Sequence, residues 1–199
     1  MKRYCIALAL LLGLSACSVT TPHIVEYSLK TVTKIEKTKD SQCKQKSLKL
    51  SQTFSANTLM NQAMRYTQGD SSEYTFSESK WSQSPNRALT QSLLESIRES
   101  DTFATVVGYR SRAKADYVLE SELEEFMHYF DTQTQESYVR VRLALSLLES
   151  KSAKSLASVT FDEQVAVEEL SASGGVKAYN QALTSLLEKS NNWLRKECR

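Results

Sequence analysis

Three consecutive segments in the second half of the chain alternate apolar and polar residues over long stretches. They cover residues 117–130, 137–149 and 156–167, with short polar segments between them. A repeat of two residues puts every second side chain on the same face of a β-strand. Because long strands joined by short loops pair in antiparallel fashion, these segments predict an extended antiparallel sheet.

The first of these segments changes phase near its middle. Leu119 and Leu123 share one parity, whereas Phe126 and His128 share the parity of the glutamates that precede them. An extra residue in one strand, a β-bulge, returns the apolar side chains to the inner face. We therefore predict a bulge near Glu125.

The second segment carries two outward arginines, Arg140 and Arg142. A hairpin through residues 131–136 places them opposite the outward glutamates of the first segment. Such cross-strand pairs contribute about 0.2–1 kcal/mol each, so they select the register more than they stabilise the sheet.

Two further segments have the spacing of amphipathic helices. The first is predicted to begin with Ser84 as its cap and Pro85 as its first residue, and to end near Ser100. The second is predicted to begin with Ser173 as its cap. The two apolar stripes comprise Ala88, Leu89, Leu93 and Ile97 in the first helix, and Val176, Tyr179, Ala182, Leu183, Leu186, Leu187, Trp193 and Leu194 in the second.

Shorter strands are predicted before and between these elements. They cover residues within 23–35, then 48–54, 73–81 and 103–109. Residues 57–72 fit either a helical turn or a short strand. Since each helix has one apolar stripe to bury, the predicted fold is an α+β two-layer sandwich, a largely antiparallel sheet with two amphipathic helices packed on one face.

The N-terminus carries an export signal. Lys2 and Arg3 precede a short apolar run that ends in Leu14-Ser15-Ala16-Cys17. The run is too short to span a bilayer, and the small residues before Cys17 suit a signal peptidase. An ordinary cleaved signal with a stray cysteine is the alternative.

A cysteine at the cleavage point resembles the bacterial lipoprotein signal. The resemblance implies that Cys17 receives a diacylglycerol and becomes the acylated first residue of the mature chain. Two or more acyl chains anchor a protein stably. We therefore divide the chain into a signal peptide (1–16), a tether (17–22) and a single domain (23–199).

The export signal also decides how the remaining cysteines are interpreted. Cys5 leaves with the signal, so Cys43 and Cys198 remain as an even pair in an exported protein. Such a pair tends to form a disulfide, which is the prediction here; two free thiols are the alternative. No Cys/His spacing suggests zinc.

Charge and motifs give no sign of catalysis or nucleic-acid binding. Removing Lys2 and Arg3 lowers Lys+Arg from 25 to 23, which equals the 23 acidic residues. A nucleic-acid partner would need a basic excess. The sequence lacks GxSxG, HExxH and phosphate-loop motifs. We predict no catalytic, cofactor-binding or metal-binding residue.

Several conspicuous side chains are interpreted as structural. His128 is predicted to be a structural or surface histidine, Glu120, Glu122 and Glu124 a solvated sheet face, and Trp81 and Trp193 core anchors. A lysine-rich run lies close to the predicted lipid anchor and fits either a solvated loop or a contact with an anionic bilayer. It comprises Lys30, Lys34, Lys37, Lys39, Lys44 and Lys46.

The order and spacing of several motifs resemble the ABC-type transport auxiliary lipoprotein family, which includes paraquat-inducible protein C and related periplasmic lipoproteins. The matching residues are Tyr27-Ser28-Leu29, Trp81-Ser82-Gln83-Ser84-Pro85, Leu89, Leu93, Ser100-Asp101-Thr102-Phe103, Ala115-Asp116-Tyr117-Val118-Leu119, Phe126, the 139–147 strand, Phe161 and the closing helix. The resemblance covers nearly the whole mature chain.

The resemblance implies a non-catalytic accessory of an MCE/ABC-type system that transports lipid or other hydrophobic compounds. Its expected partners are the membrane, an MCE-domain protein, the ABC permease and ATPase, and phospholipid, with self-association left open. Ser18 follows Cys17 where an aspartate would retain some lipoproteins at the inner membrane, which favours the outer membrane. A structural envelope lipoprotein that assembles or stabilises a secretion or outer-membrane complex is the alternative.

Overall fold

The computed structural model describes residues 22–31, 35, 37, 41–69, 72–131, 133–134 and 136–198. In this part of the chain the helices are α1 (Pro85–Glu99) and α2 (Ala172–Glu197), and a short 3-10 turn covers Asn57–Leu59. The strands are β1 (Val25–Tyr27), β2 (Ser47–Leu50), β3 (Phe54–Ser55), β4 (Ala63–Gln68), β5 (Ser72–Trp81), β6 (Thr105–Val107), β7 (Tyr117–Phe130), β8 (Ser137–Glu149) and β9 (Ser155–Ala166).

All nine strands join one mixed sheet with β7 at its centre. On one side, β7 pairs along its whole length with β8, and β8 pairs with β9, both antiparallel. On the other side, β2, β3 and β4 lie end to end, each parallel to β7. Strand β5 is antiparallel to β4, and β1 and β6 are parallel to β5 and β2 respectively. The predicted α+β class is confirmed.

The predicted bulge lies in β7. The β7–β8 register skips one residue between Leu123 and Glu125, opposite Leu143 and Arg142. The skip leaves Glu124 exposed and returns Phe126 to the buried face. Inward packing on both halves of a 14-residue strand therefore depends on this one extra residue.

Both helices cover the same face of the sheet. Helix α2 lies across β8 and β9, and α1 contacts α2 and β6. The largest fully buried side chains come from both layers: Leu48, Leu50, Leu89, Leu93, Ile97, Leu119, Leu123, Leu143, Leu145, Leu147, Leu183 and Leu186. Since burying a leucine side chain contributes about 1.5–3 kcal/mol, this interface is the main source of stability.

The prediction for the start of the second helix is wrong by two residues. Ser171, not Ser173, is the N-cap, and its hydroxyl accepts a hydrogen bond from the Gly174 amide at 3.1 Å. Ser171 has the extended backbone that an N-cap requires, whereas Ser173 already lies in the first turn.

Ser84 is the N-cap of α1, but its side chain does not cap. Its hydroxyl donates to Asn86 Oδ1 at 2.8 Å, and no backbone amide donates to it. Asn86 and Thr90 form a buried polar cluster with Thr53, and Ser84 joins that cluster instead of the helix terminus.

The N-terminal strands are shorter than predicted. Strand β1 ends at Tyr27. The chain then leaves the sheet toward α2, where the Lys30 amide donates a hydrogen bond to Asn180 Oδ1. The predicted strand at 48–54 is divided into β2 and β3. Residues 57–72 contain both predicted alternatives, a 3-10 turn followed by β4.

Candidate functional site

The predicted lipidation site lies outside the described residues. Cys17 precedes Pro22, with which the described part of the chain begins, and β1 starts at Val25. Within the described ranges, neither helix is long and apolar enough to cross a membrane. Lipidation at Cys17 therefore stays a prediction, and the fold shows only where the tether joins the domain.

A disulfide joins Cys43 to Cys198, which are 155 residues apart in sequence and 5.5 Å apart between Cα atoms. Cys43 lies in the turn before β2, and Cys198 follows the last residue of α2. Both are buried. The bond therefore fixes the end of α2 to the turn that precedes β2.

Lys44, which belongs to the lysine run, lies next to this disulfide. Lys44 Nζ donates to the Asp101 carbonyl at 2.7 Å and pairs with its carboxylate, whose pKa is lowered by the same lysine. Lys34 and Lys39 lie outside the described residues. We call the region formed by the disulfide, Lys44 and the start of β7 at Tyr117 the disulfide end.

His128 is buried and bonded, as a structural histidine would be. Its Nε2 lies 2.8 Å from Ser137 Oγ, and Ser137 Oγ lies 3.0 Å from the Tyr129 carbonyl, to which it donates. A hydroxyl has one proton to donate, so Ser137 must accept from Nε2–H. His128 is therefore the Nε2-protonated neutral tautomer.

This Ser–His pair does not have the arrangement of a nucleophile and its base. A base would have to accept the hydroxyl proton, whereas here the imidazole donates. The other ring nitrogen, Nδ1, faces Gly175 at the start of α2, where an added Cβ would lie 2.7 Å away. Burial lowers the pKa of His128 from 6.5 to about 4, which keeps the ring neutral.

Ser137 was not singled out from the sequence. A signal exists, since a serine at the first position of β8 lies nine residues after His128 across a short hairpin. That spacing is common in hairpins, and only the tertiary structure shows that the two side chains meet.

The outward glutamates form a solvated, ion-paired face. Glu124 pairs with Arg142 at 2.8 Å, and Arg140 lies 3.7 Å from Glu125 and 2.6 Å from Asp162. The predicted cross-strand pairs are thus present. Across the described ranges, no cluster of three His, Cys, Asp or Glu could hold a metal ion.

A groove runs along α1. It has a volume of about 540 Å³ and is lined by polar side chains that include Arg87, Arg98 and Arg110. Arg98 already donates to the Val106 carbonyl at 3.0 Å, and Arg110 stacks on Tyr109. Two of the three arginines in the groove are thus already engaged by the protein itself.

A cluster of rings lies at the opposite end of the sheet from the disulfide. Tyr66 contacts Tyr74, Phe76 and Phe130, with ring centroids 4.6–5.4 Å apart, and His128 stacks on Phe130 at 4.2 Å. We call this region, with the β4–β5 and β7–β8 turns, the aromatic end. Tyr74 is 46% exposed, so the cluster reaches the surface.

The two tryptophans pack against the hydrophobic core. Trp81 is buried and makes edge contacts with Phe126 and Tyr179 at 5.7 and 5.5 Å, which confirms it as a core anchor. Trp193 is half-buried against the same core. Neither forms an open cage for a ligand.

Solved structures share this fold. A protein of Xanthomonas campestris, XCC0632, superposes with a TM-score of 0.77 at 17% identity, covering 87% of this chain and 95% of that one. An uncharacterised protein superposes at 0.66 with 12% identity, covering 86% and 99% of the two chains. The PelC dodecamer from Paraburkholderia phytofirmans gives 0.50 at 14% identity, covering 78% and 91%. At these identities the likeness shows the fold alone.

No curated protein matches the sequence. A family match extends from the end of β1 to the last turns of α2. It covers residues 27–189 and therefore every strand of the central sheet except most of β1. The chain belongs to the ABC-type transport auxiliary lipoprotein family.

Proposed function

We propose that this chain is a non-catalytic accessory of an MCE/ABC-type system that transports lipid or another hydrophobic compound. The observation that carries the proposal is the family match over residues 27–189, which describes an auxiliary lipoprotein component of a transporter. The filled core is consistent with it. Leucines from sheet and helices are fully buried, so a cargo groove would have to be shallow or shared with other subunits.

The polar groups support binding rather than chemistry. His128 is neutral and donates to Ser137, while the glutamates of the outer face are solvated or paired with arginines. The energy for transport would come from the ATPase partner, so this chain needs no nucleotide site. The proposed cargo is phospholipid or another hydrophobic compound.

Anchoring through Cys17 is the second part of the proposal. The family is one of lipoproteins, which implies membrane association. The Cys43–Cys198 disulfide fits the oxidising periplasmic side, and Ser18 favours the outer membrane. In Cys17→Ala we expect a chain that is unprocessed or soluble. Membrane fractionation and intact mass test this, and normal maturation with membrane pelleting would contradict it.

An open sheet edge supports the partner part of the proposal. Strand β9 has 12 residues and pairs only with β8 among the described strands. Its apolar residues Val159, Phe161 and Val165 stay half-exposed. Since a free edge is a template for strand addition, β9 is where we place a partner strand or a second copy.

Cross-linking in cells tests the transport role. The expected result is capture of an MCE-domain protein or the permease from wild-type cells, and a weakened barrier to hydrophobic toxicants after gene deletion. Variants with Glu120→Gln or Glu122→Gln should keep the barrier. Capture of secretion or outer-membrane assembly proteins without any MCE or ABC component would support the structural alternative, a role in stabilising an envelope complex.

A further inference from the structure

We propose that the aromatic end of the domain rests on the lipid surface of the membrane that anchors the chain. The contact would be made by the rings of Tyr66, Tyr74, Phe76 and Phe130, together with Leu170. Leu170 lies between β9 and α2, and β9 ends at Ala166 opposite Tyr138 at the start of β8. The inference depends on the proposed lipidation of Cys17, and it adds an orientation that an anchor alone does not fix.

The direction of β1 places the tether at this end. Strand β1 is parallel to β5, with Val25 opposite Ser79. The chain therefore enters β1 from the side on which β5 begins, at Ser72. The eight Cα-to-Cα steps from Cys17 to Val25 reach at most about 29 Å. The seven positions from Ser79 back to Ser72 span about 23 Å, so Cys17 can enter a bilayer beside the β4–β5 turn.

The same tether is too short for the disulfide end. Tyr27 of β1 lies opposite Trp81, which contacts Phe126 of β7. From Phe126 to Tyr117, β7 covers nine positions, about 30 Å. Tyr117 lies opposite Leu48 of β2, and the disulfide lies beyond it. A lipid on Cys17 therefore cannot reach past that end, so the lysines there do not serve the anchoring membrane.

The side chains at the aromatic end suit a bilayer interface. Tyr74 and Leu170 are 46% and 56% exposed. Removing their apolar surface from water would be favourable. Tyrosine has an apolar body and a polar hydroxyl, and such rings concentrate at the level of lipid headgroups. The contacts of Tyr66 with Phe76 and Phe130 hold the cluster in place before it meets a membrane.

Charge at this end selects the kind of lipid. Glu73 is paired with Arg65, but Asp131, Glu136 and Glu168 are exposed carboxylates at the same end. They would be repelled by an anionic surface. The proposal is therefore a contact with zwitterionic phospholipid, made by apolar and ring surface and not by charge attraction.

Tryptophan reporters in the full lipidated chain test the orientation. Tyr74→Trp and Leu170→Trp place an indole at the aromatic end, and Leu156→Trp places one near the disulfide end. Leu156 is a matched control because its exposure, 47%, is similar to theirs. It lies near the disulfide end, since the next residue, Ala157, is opposite Leu147 of β8. Leu147 in turn is opposite Leu119, near the start of β7. Each protein is reconstituted into vesicles of brominated phosphatidylcholine, whose bromine atoms quench nearby indoles.

We expect quenching of Tyr74→Trp and Leu170→Trp and none of Leu156→Trp, beyond the background that Trp81 and Trp193 give in unsubstituted protein. Phosphatidylglycerol added to the vesicles should reduce the quenching. Circular dichroism checks that each variant is folded, and two reporters keep the test valid if one is not.

Vesicle flotation separates the two ideas. Protein that floats but shows equal or no quenching at both ends keeps its anchor and overturns the orientation. Protein that fails to float overturns the anchor, and the orientation with it.

Discussion

The two ends of the sheet are finished in different ways. At the disulfide end, a covalent bond between Cys43 and Cys198 ties the last helix to the turn before β2. At the aromatic end, rings from three strands stack on one another, and Gly175 lets the start of α2 approach His128. The disulfide end is thus held together by a covalent bond that stabilises the fold. The aromatic end is held together by side-chain packing that leaves part of the ring surface exposed.

This difference separates stability from binding. A buried disulfide offers little surface to a partner, whereas exposed rings at a strand end can gain by further burial. The two ends should therefore respond differently to substitution, and four measurements address that difference.

Removal of the disulfide should give the largest effect. Cys43→Ser with Cys198→Ser should lower the free energy of unfolding by about 4–5 kcal/mol, because the bond closes a very long loop in the unfolded chain. Denaturant unfolding measures the loss. Hydrogen exchange should increase around β2 and the end of α2 and stay unchanged at the β4–β5 turn.

Intact mass provides the control for that experiment. The unreduced domain should gain two hydrogens on reduction. Two alkylatable thiols in the native, unreduced protein would contradict the bond and the comparison built on it.

Acid should destabilise the aromatic end through His128. The folded state holds the pKa of this ring at about 4, below its ordinary 6.5, so the unfolded chain binds more protons between those values. Stability is then fully present above pH 6.5 and falls as the pH is lowered to about 4, by about 3 kcal/mol in total.

The variant His128→Phe removes the titrating group. Its unfolding free energy should lose most of the dependence on pH between 6.5 and 4, although its stability at neutral pH also changes. An unchanged slope in this variant would show that other groups cause the acid sensitivity.

The close approach of α2 to His128 should make Gly175→Ala destabilising. Alanine ordinarily favours a helix over glycine by about 0.5–1 kcal/mol. Here its Cβ would lie 2.7 Å from His128 Nδ1, so we expect a net loss of about 1–3 kcal/mol. Thermal unfolding of Gly175→Ala, His128→Ser and the double variant gives the coupling, and simple additivity would argue against the contact.

The ion pairs between the two ends should have the smallest effect. Arg142→Met removes one close ion pair, with Glu124, whereas Arg140→Met removes contacts with both Glu125 and Asp162. The two arginine side chains are more than one-third exposed, so each loss should be within about 1 kcal/mol and shrink in high salt. Arg140→Met should cost more than Arg142→Met in urea unfolding, and the reverse order would contradict the paired geometry.

The sequence by itself determined the long local elements. Strands β7 and β8 have the bounds that alternation predicts, and the bulge lies beside Glu125 as the change of phase requires. The helix stripes were equally readable. Side-chain period is a local property, so a single sequence carries it.

The short strands were harder to place from sequence. Strands β2, β3 and β4 lie parallel to β7, yet each has only two to six residues and too few alternations to indicate a partner. The N-cap of α2 was also misplaced, since Ser171 and Ser173 have the same chemistry. Backbone geometry alone distinguishes them.

The site depended on tertiary structure more than the fold did. The Cys43–Cys198 pair follows from residue type and compartment, because these are properties that a sequence states directly, whereas lipidation of Cys17 stays a prediction. The bond between His128 and Ser137 does not, nor does the ring cluster of Tyr66, Tyr74 and Phe130. Those contacts join strands whose order is set by long-range pairing, and only the folded sheet decides which side chains meet at its ends.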